Sequence, residues 1–152
     1  RLMKSRKLLA VASGGGHWVQ LRRLQPAFDG CQVVYVGTNI DYRQELSGER
    51  MYAVTDASMW EKLRLLKMFL EMLLIIMRER PDVVFSTGAA PGFAAIVIGK
   101  LLGARTIWVD SIANSEELSR SGRKIGKFAD LWLTQWPELA REGGPEYWGA
   151  VL

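Results

Sequence analysis

Apolar runs and helical stripes alternate along this chain. Lys7 to Ala12 is a short apolar run between a basic segment and a glycine cluster, the pattern of a buried strand. Val19, Leu21 and Leu24 then begin a helical stripe over 17–24, and Pro26 and Gly30 interrupt it. Further strands are predicted over 32–37, 51–55, 82–86, 106–109 and 131–134, and further helices over 58–80, 93–102 and 116–128. Pro81 closes the longest helix, and Gly103 ends the next as a C′ residue does. Regular alternation of strand and helix predicts an α/β fold, a Rossmann-like doubly wound parallel sheet with helices on both faces. Right-handed crossovers give the strand order 3-2-1-4-5-6, with the winding reversing between strands one and four.

The long helix over 58–80 is apolar on more than one side. Leu63, Leu66, Leu70, Leu73 and Met77 form a stripe at helical spacing that is expected to face the core. Leu65, Met68, Phe69, Met72 and Ile76 make a second stripe, flanked by Lys62, Arg64, Lys67, Arg78 and Arg80. Either this is an ordinary buried crossover helix, or it also presents apolar surface to a bilayer with its basic residues at the headgroups.

Between the first strand and the first helix lies Ala12-Ser13-Gly14-Gly15-Gly16-His17-Trp18. A strand turning through three glycines into a helix offers bare backbone N–H groups at the positive end of a helix dipole, which suits a phosphate or diphosphate. Tight packing alone also selects glycines at such turns. The dinucleotide fingerprint is absent, because Val19 stands where its third glycine belongs and no acid ends the second strand. The P-loop pattern is absent as well. A second small-residue loop, Thr87 to Gly92, follows the fourth strand, so the predicted order puts both loops at the switch point where ligands bind in such sheets. The loop after the fifth strand, with Asp110, Ser111 and Asn114, lies one strand further along the same edge. His17 is the only histidine, and it stands at the mouth of the first loop.

Composition narrows the class. A chain of 152 residues with 49% hydrophobic residues is enough for one domain with its own core, here 1–152. The single cysteine, Cys31, excludes a disulfide framework and fits a reducing compartment. No secretory signal and no uncharged run of membrane-spanning length is expected. The net charge of +4 is concentrated in Arg1, Lys4, Arg6, Lys7, Arg22 and Arg23, and again in Arg120, Arg123, Lys124 and Lys127. Nucleic acid is not an expected partner, since no aromatic platform is interleaved with these groups. The tail 147–152 is apolar to its end, so Tyr147, Trp148, Val151 and Leu152 are expected to dock, on this domain or on another chain. Among the six tryptophans, Trp108 and Trp132 are expected in the core, and Trp18 and Trp148 in contacts.

Three motifs in order, S-G-G-G-H, P-D-V-V-F-S-T-G and W-V-D-S-I-A-N, resemble the acceptor-side half of GT-B glycosyltransferases. The chain is most similar to PssD-type bacterial polysaccharide-biosynthesis subunits. These are related to the membrane-anchoring subunit of the two-subunit N-acetylglucosaminyltransferase of asparagine-linked glycosylation, and more distantly to MurG. The resemblance implies the acceptor subunit of an inverting hexosyltransferase for surface polysaccharide or exopolysaccharide, acting on a polyprenyl-diphosphate-linked saccharide. It implies a diphosphate cradle at Ser13, Gly14, Gly15, Gly16, Thr87 and Gly88. His17 is implied as the base or as a diphosphate ligand, with Asp110 sharing the base function or positioning the sugar. Trp18, Ser111 and Asn114 are assigned to the acceptor sugar. No cofactor and no metal are implied, because GT-B chemistry meets leaving-group charge with helix dipoles and hydrogen-bond donors. The donor UDP-sugar is expected on a separate partner chain in a hetero-oligomer, and the location is expected to be the cytoplasmic face of the inner membrane, peripheral or monotopic. The rival readings are a non-catalytic scaffold that recruits the catalytic chain, and a nucleotide-binding Rossmann module.

Overall fold

A computed structural model describes residues 6–57, 60–110, 125–135, 139–140 and 145–147. The strands β1 (Lys7–Val11), β2 (Gln32–Gly37), β3 (Arg50–Ala53), β4 (Val83–Ser86), β5 (Arg105–Val109), β6 (Leu131–Thr134) and β7 (Glu146–Tyr147) form one parallel sheet. Their order is β3-β2-β1-β4-β5-β6-β7. The predicted order holds, with β7 added at the edge. Two residues are too few to show a period, so this strand was not legible in the pattern. The predicted helix over 116–128 falls mostly outside the described residues.

The helices are α1 (Gly16–Arg23), α2 (Lys62–Glu79) and α3 (Ala89–Leu101). Side chains alternate across the pleat and feed two cores. Leu8, Ala10, Tyr35, Phe85 and Val109 meet Trp18, Leu21 and Phe28 on the α1 side. Leu9, Val11, Val34, Val36, Val84 and Trp108 meet α2 and α3 on the other. The expected core positions of Trp108 and Trp132 are borne out, the first fully buried and the second packed on its margin. Small residues let α3 sit close to the sheet: a Cβ on Gly92 would lie 1.9 Å from Ser86 Oγ.

The orientation of α2 corrects the sequence reading. Leu63, Leu66, Leu70 and Met77, expected in the core, are exposed together with Leu74, and Leu73 is only half-buried. The buried face is instead Met68, Met72, Ile75 and Ile76, with Leu65 and Phe69 packed beside it. Two carboxylates on that inner side account for the choice. Glu71 accepts from the Thr55 N–H at 2.8 Å, and buried Glu79 is bound by Lys7 at 3.2 Å, Arg50 at 2.7 Å and the Tyr52 hydroxyl. An unpaired buried carboxylate costs several kcal/mol, more than the small difference between two apolar stripes. No helix among the described residues is long and apolar enough to cross a membrane.

Candidate functional site

β1 and β4 are neighbours and end level, with Val11 in register with Ser86. The turns that leave them therefore start side by side. The first passes through Gly15 at φ +61 into α1. The second passes through Gly88 at φ +136 and Ala89 at φ +67 into α3. Left-handed backbone at Ala89 costs of order 1 kcal/mol or more and is held only where surrounding contacts enforce it.

Those contacts join the two turns. The Thr87 hydroxyl donates to the His17 carbonyl oxygen at 2.7 Å, and His17 Nδ1 lies 3.1 Å from the Thr87 carbonyl oxygen. A carbonyl only accepts, so Nδ1 carries the proton and neutral His17 keeps the lone pair on Nε2. The ring lies against Gly88, where a Cβ would come within 2.8 Å of it. The imidazole is half-buried rather than sealed beneath the sheet.

Not every amide in the two turns is free to meet a ligand. The Gly15 N–H donates to the Tyr42 hydroxyl at 3.1 Å, and the Gly88 N–H to Ser86 Oγ at 3.1 Å. The first intrahelical bond of α1 is Val19 N–H to Gly15 O, so the amides of Gly16, His17 and Trp18 have no acceptor within the helix. The anion-binding capacity of the first turn resides in those three groups.

A cavity of about 500 Å³ reaches the first turn at Ser13 and His17 and is otherwise lined by Asp56, Ala57, Glu61, Arg64 and the start of α3 at Ala89, Ala90 and Pro91. Gly14, Gly15, Gly16, Thr87 and Gly88 are not in its lining. Asp56, Glu61 and Arg64 were not anticipated. Asp56 and Glu61 come from the segment between β3 and α2, which carries no motif, and Arg64 from the first turn of α2. Arg64 ties that segment down, donating from Nε and Nη2 to the Asp56 carbonyl oxygen at 3.1 and 2.6 Å and pairing with Glu61 at 3.4 Å. Acid groups and a cation thus line the same cavity as His17.

Trp18 does not serve as expected. It is 1% exposed, stacked on Tyr42 at 4.7 Å, and its indole N–H donates to Glu45 at 3.2 Å. One residue after His17 on a helix is about 100° around the axis, so the tryptophan turns into the core as the histidine faces the crevice. Its role here is to back Tyr42, whose hydroxyl holds Gly15.

Asp110 is also buried, 1% exposed at the end of β5. Its carboxylate accepts from the Trp108 indole at 3.2 Å, and its carbonyl from Gln135, which also donates to Gln20 on α1. This polar chain joins α1 to the far strands beneath the surface. Ser111 and Asn114 lie outside the described residues, as do Trp148, Val151 and Leu152, while Tyr147 is exposed on β7.

Residues 38–151 match the family described as oligosaccharide biosynthesis protein Alg14 like. The chain belongs to the Alg14-like family. The UDP-N-acetylglucosamine transferase subunit ALG14 of Eremothecium gossypii is 26% identical over 97% of this chain and 80% of its own length. The subunit of the same name from Schizosaccharomyces pombe is 35% identical over 47% of this chain and 37% of its own length. Family membership bears out the expected kinship with a glycosyltransferase subunit. The match over 38–151 begins beyond the first glycine turn, but the Eremothecium alignment spans nearly the whole chain. In fold, the Alg14-like chain is similar to MurG of Acinetobacter baumannii, with a TM-score of 0.77 at 14% identity over 93% of this chain and 45% of that one. The likeness bears out the expected architecture, a Rossmann-like α/β fold built on one parallel sheet.

Proposed function

We propose that this Alg14-like chain is the acceptor-binding, membrane-associated subunit of an inverting glycosyltransferase in polysaccharide biosynthesis. Its acceptor is a saccharide on a polyprenyl diphosphate, and a separate chain holds the UDP-sugar. The observation that carries the reading is the pair of bonds between His17 and Thr87, which fixes a lone-pair nitrogen beside the open amides of α1. The diphosphate sits on the amides of Gly16, His17 and Trp18 at the positive end of α1. The acceptor hydroxyl then meets His17 Nε2. As its oxygen attacks the anomeric carbon, the hydroxyl proton passes to Nε2, the bond from that carbon to the UDP oxygen breaks, and configuration inverts. Buried Asp110 positions α1 through Gln135 and Gln20 and does not take the proton.

The lipid of such an acceptor stays in the bilayer, so the crevice must reach the membrane surface. The exposed apolar face of α2 supports that attachment, since the same helix contributes Arg64 to the cavity wall. Attachment is on the cytoplasmic face, where UDP-sugars are made, and is peripheral or monotopic. The whole of 1–152 acts as one acceptor-binding domain, with Tyr147, Trp148, Val151 and Leu152 docking on the donor-binding chain.

Replacing His17 with Asn in the reconstituted pair is the test. The rate is expected to fall about 10²- to 10⁴-fold, the usual contribution of a positioned base. The two chains still co-purify. Full activity in an intact pair refutes the base and leaves a recruiting scaffold.

A further inference from the structure

A second cavity, of about 560 Å³, opens at the opposite edge of the sheet. It lies between the last turns of α2 and α3 and the starts of β1, β4 and β5. Its walls include the apolar Ile76, Met77 and Leu102 and three arginines, Arg6, Arg80 and Arg105. All three arginines are exposed, and none is in an ion pair among the described residues. The one acid in the wall, Asp82, accepts from the Lys7 N–H. Three cations and one anion leave two positive charges, and the carbonyl ends of two helices offset roughly one of them. A net positive pocket with an apolar floor remains.

Two further features set this pocket apart from a merely solvated basic rim. Arg80 caps α2 at φ +47, a left-handed position where glycine or asparagine is usual. Arg80 takes that position nonetheless, and it lines the cavity. Met77 is also the last member of the exposed stripe on α2, and Leu101 and Leu102 are exposed at the end of α3. The apolar surface therefore runs from the crevice along α2 into this cavity.

We infer that the cavity holds the headgroup phosphate of an acidic glycerophospholipid, with Arg6, Arg80 and Arg105 on the phosphate and Met77 and Leu102 against the first acyl carbons. The inference rests on the membrane-facing reading of α2 given under Proposed function. Eighteen residues of helix span about 27 Å. The acceptor's diphosphate at one end of α2 and a phospholipid at the other fix the tilt of the subunit on the bilayer.

The test uses the full chain and dihexanoyl phosphatidylglycerol below its micelle concentration, followed by titration calorimetry. Saturable binding is expected, weakened at least tenfold in the double variant Arg80→Gln/Arg105→Gln, whose exposed positions leave the unfolding temperature unchanged. Dihexanoyl phosphatidylcholine is expected to bind at least tenfold more weakly to the wild-type chain. Equal binding of the two lipids, or no loss in the double variant, overturns the inference. Inorganic phosphate binding as tightly as the lipid overturns it too, in favour of a free-phosphate site. A Leu66→Ser/Leu70→Ser variant is expected to stop sedimenting with phosphatidylglycerol vesicles and still bind the short-chain lipid. Wild-type chain that binds the short lipid but never sediments with vesicles upholds the cavity and refutes the membrane reading of α2.

Discussion

Two glycines of the crevice separate what the backbone requires from what a ligand requires. At Gly88 a side chain meets two penalties at once, a φ of +136 and a Cβ 2.8 Å from the His17 ring. Gly88→Ala is expected to cost about 1–3 kcal/mol, read as a lower unfolding temperature, and to move the imidazole off Thr87. Gly16 has nothing within 4 Å of its would-be Cβ. Gly16→Ala should leave stability unchanged or raise it by up to about 1 kcal/mol through helix propensity. Its methyl would nonetheless enter the space proposed for phosphate, so the acceptor KM should rise at least tenfold. A variant as stable as the wild type with an unchanged KM removes the first turn from the phosphate site. The sequence exposed this contrast only in part. It marked the glycines and His17, because a strand, a glycine run and a helix at a switch point are a local pattern. It misdirected Trp18, because the direction of a side chain is set by helix phase rather than by nearness to a motif.

Among the elements, α2 shows where periodicity stops being informative. Strands β1 to β6 and their order were legible because each is a short apolar run bounded by glycine, proline or charge. In α2 two apolar stripes compete, and hydrophobicity cannot choose between them. The choice rests on Glu79, whose position on the inner face looks like an error until Lys7, Arg50 and Tyr52 are placed around it. Burial raises the pKa of its carboxyl, but hydrogen bonds from Tyr52, Arg50 and Lys7 and the Arg50 charge outweigh that, holding it at about 2 against an ordinary 4.5. A lowered folded-state pKa stabilises the fold above the unfolded value and loses that contribution as pH falls through the folded one. The contribution is at most about 3 kcal/mol, present at neutral pH and lost progressively from about pH 5 toward pH 2. Urea unfolding across that window should show a falling midpoint in the wild type and a flatter one in Glu79→Gln. Identical slopes would mean that the carboxylate does not hold α2 in place.

On the scale of the whole molecule, one sheet takes every described strand, and a cavity at its carboxyl edge is lined by His17 at the start of α1. An inverting transfer needs more than that. The anomeric carbon must arrive on the far side of the acceptor hydroxyl from His17, with its UDP pointing away, so the nucleotide needs a wall facing the crevice. In the two-chain reading proposed above that wall belongs to the partner, and the chain corresponds to under half of the MurG chain it resembles. The isolated protein is therefore expected to bind a polyprenyl-diphosphate saccharide while transferring nothing from UDP-N-acetylglucosamine over hours. Adding a UDP-sugar-binding partner chain should restore turnover without tightening the acceptor Kd by more than a few-fold, because the diphosphate contacts already exist. Turnover by the chain alone would place both substrates on one sheet and dismiss the two-chain reading. An acceptor bound only after the partner is added would move the diphosphate site away from α1 and onto the interface.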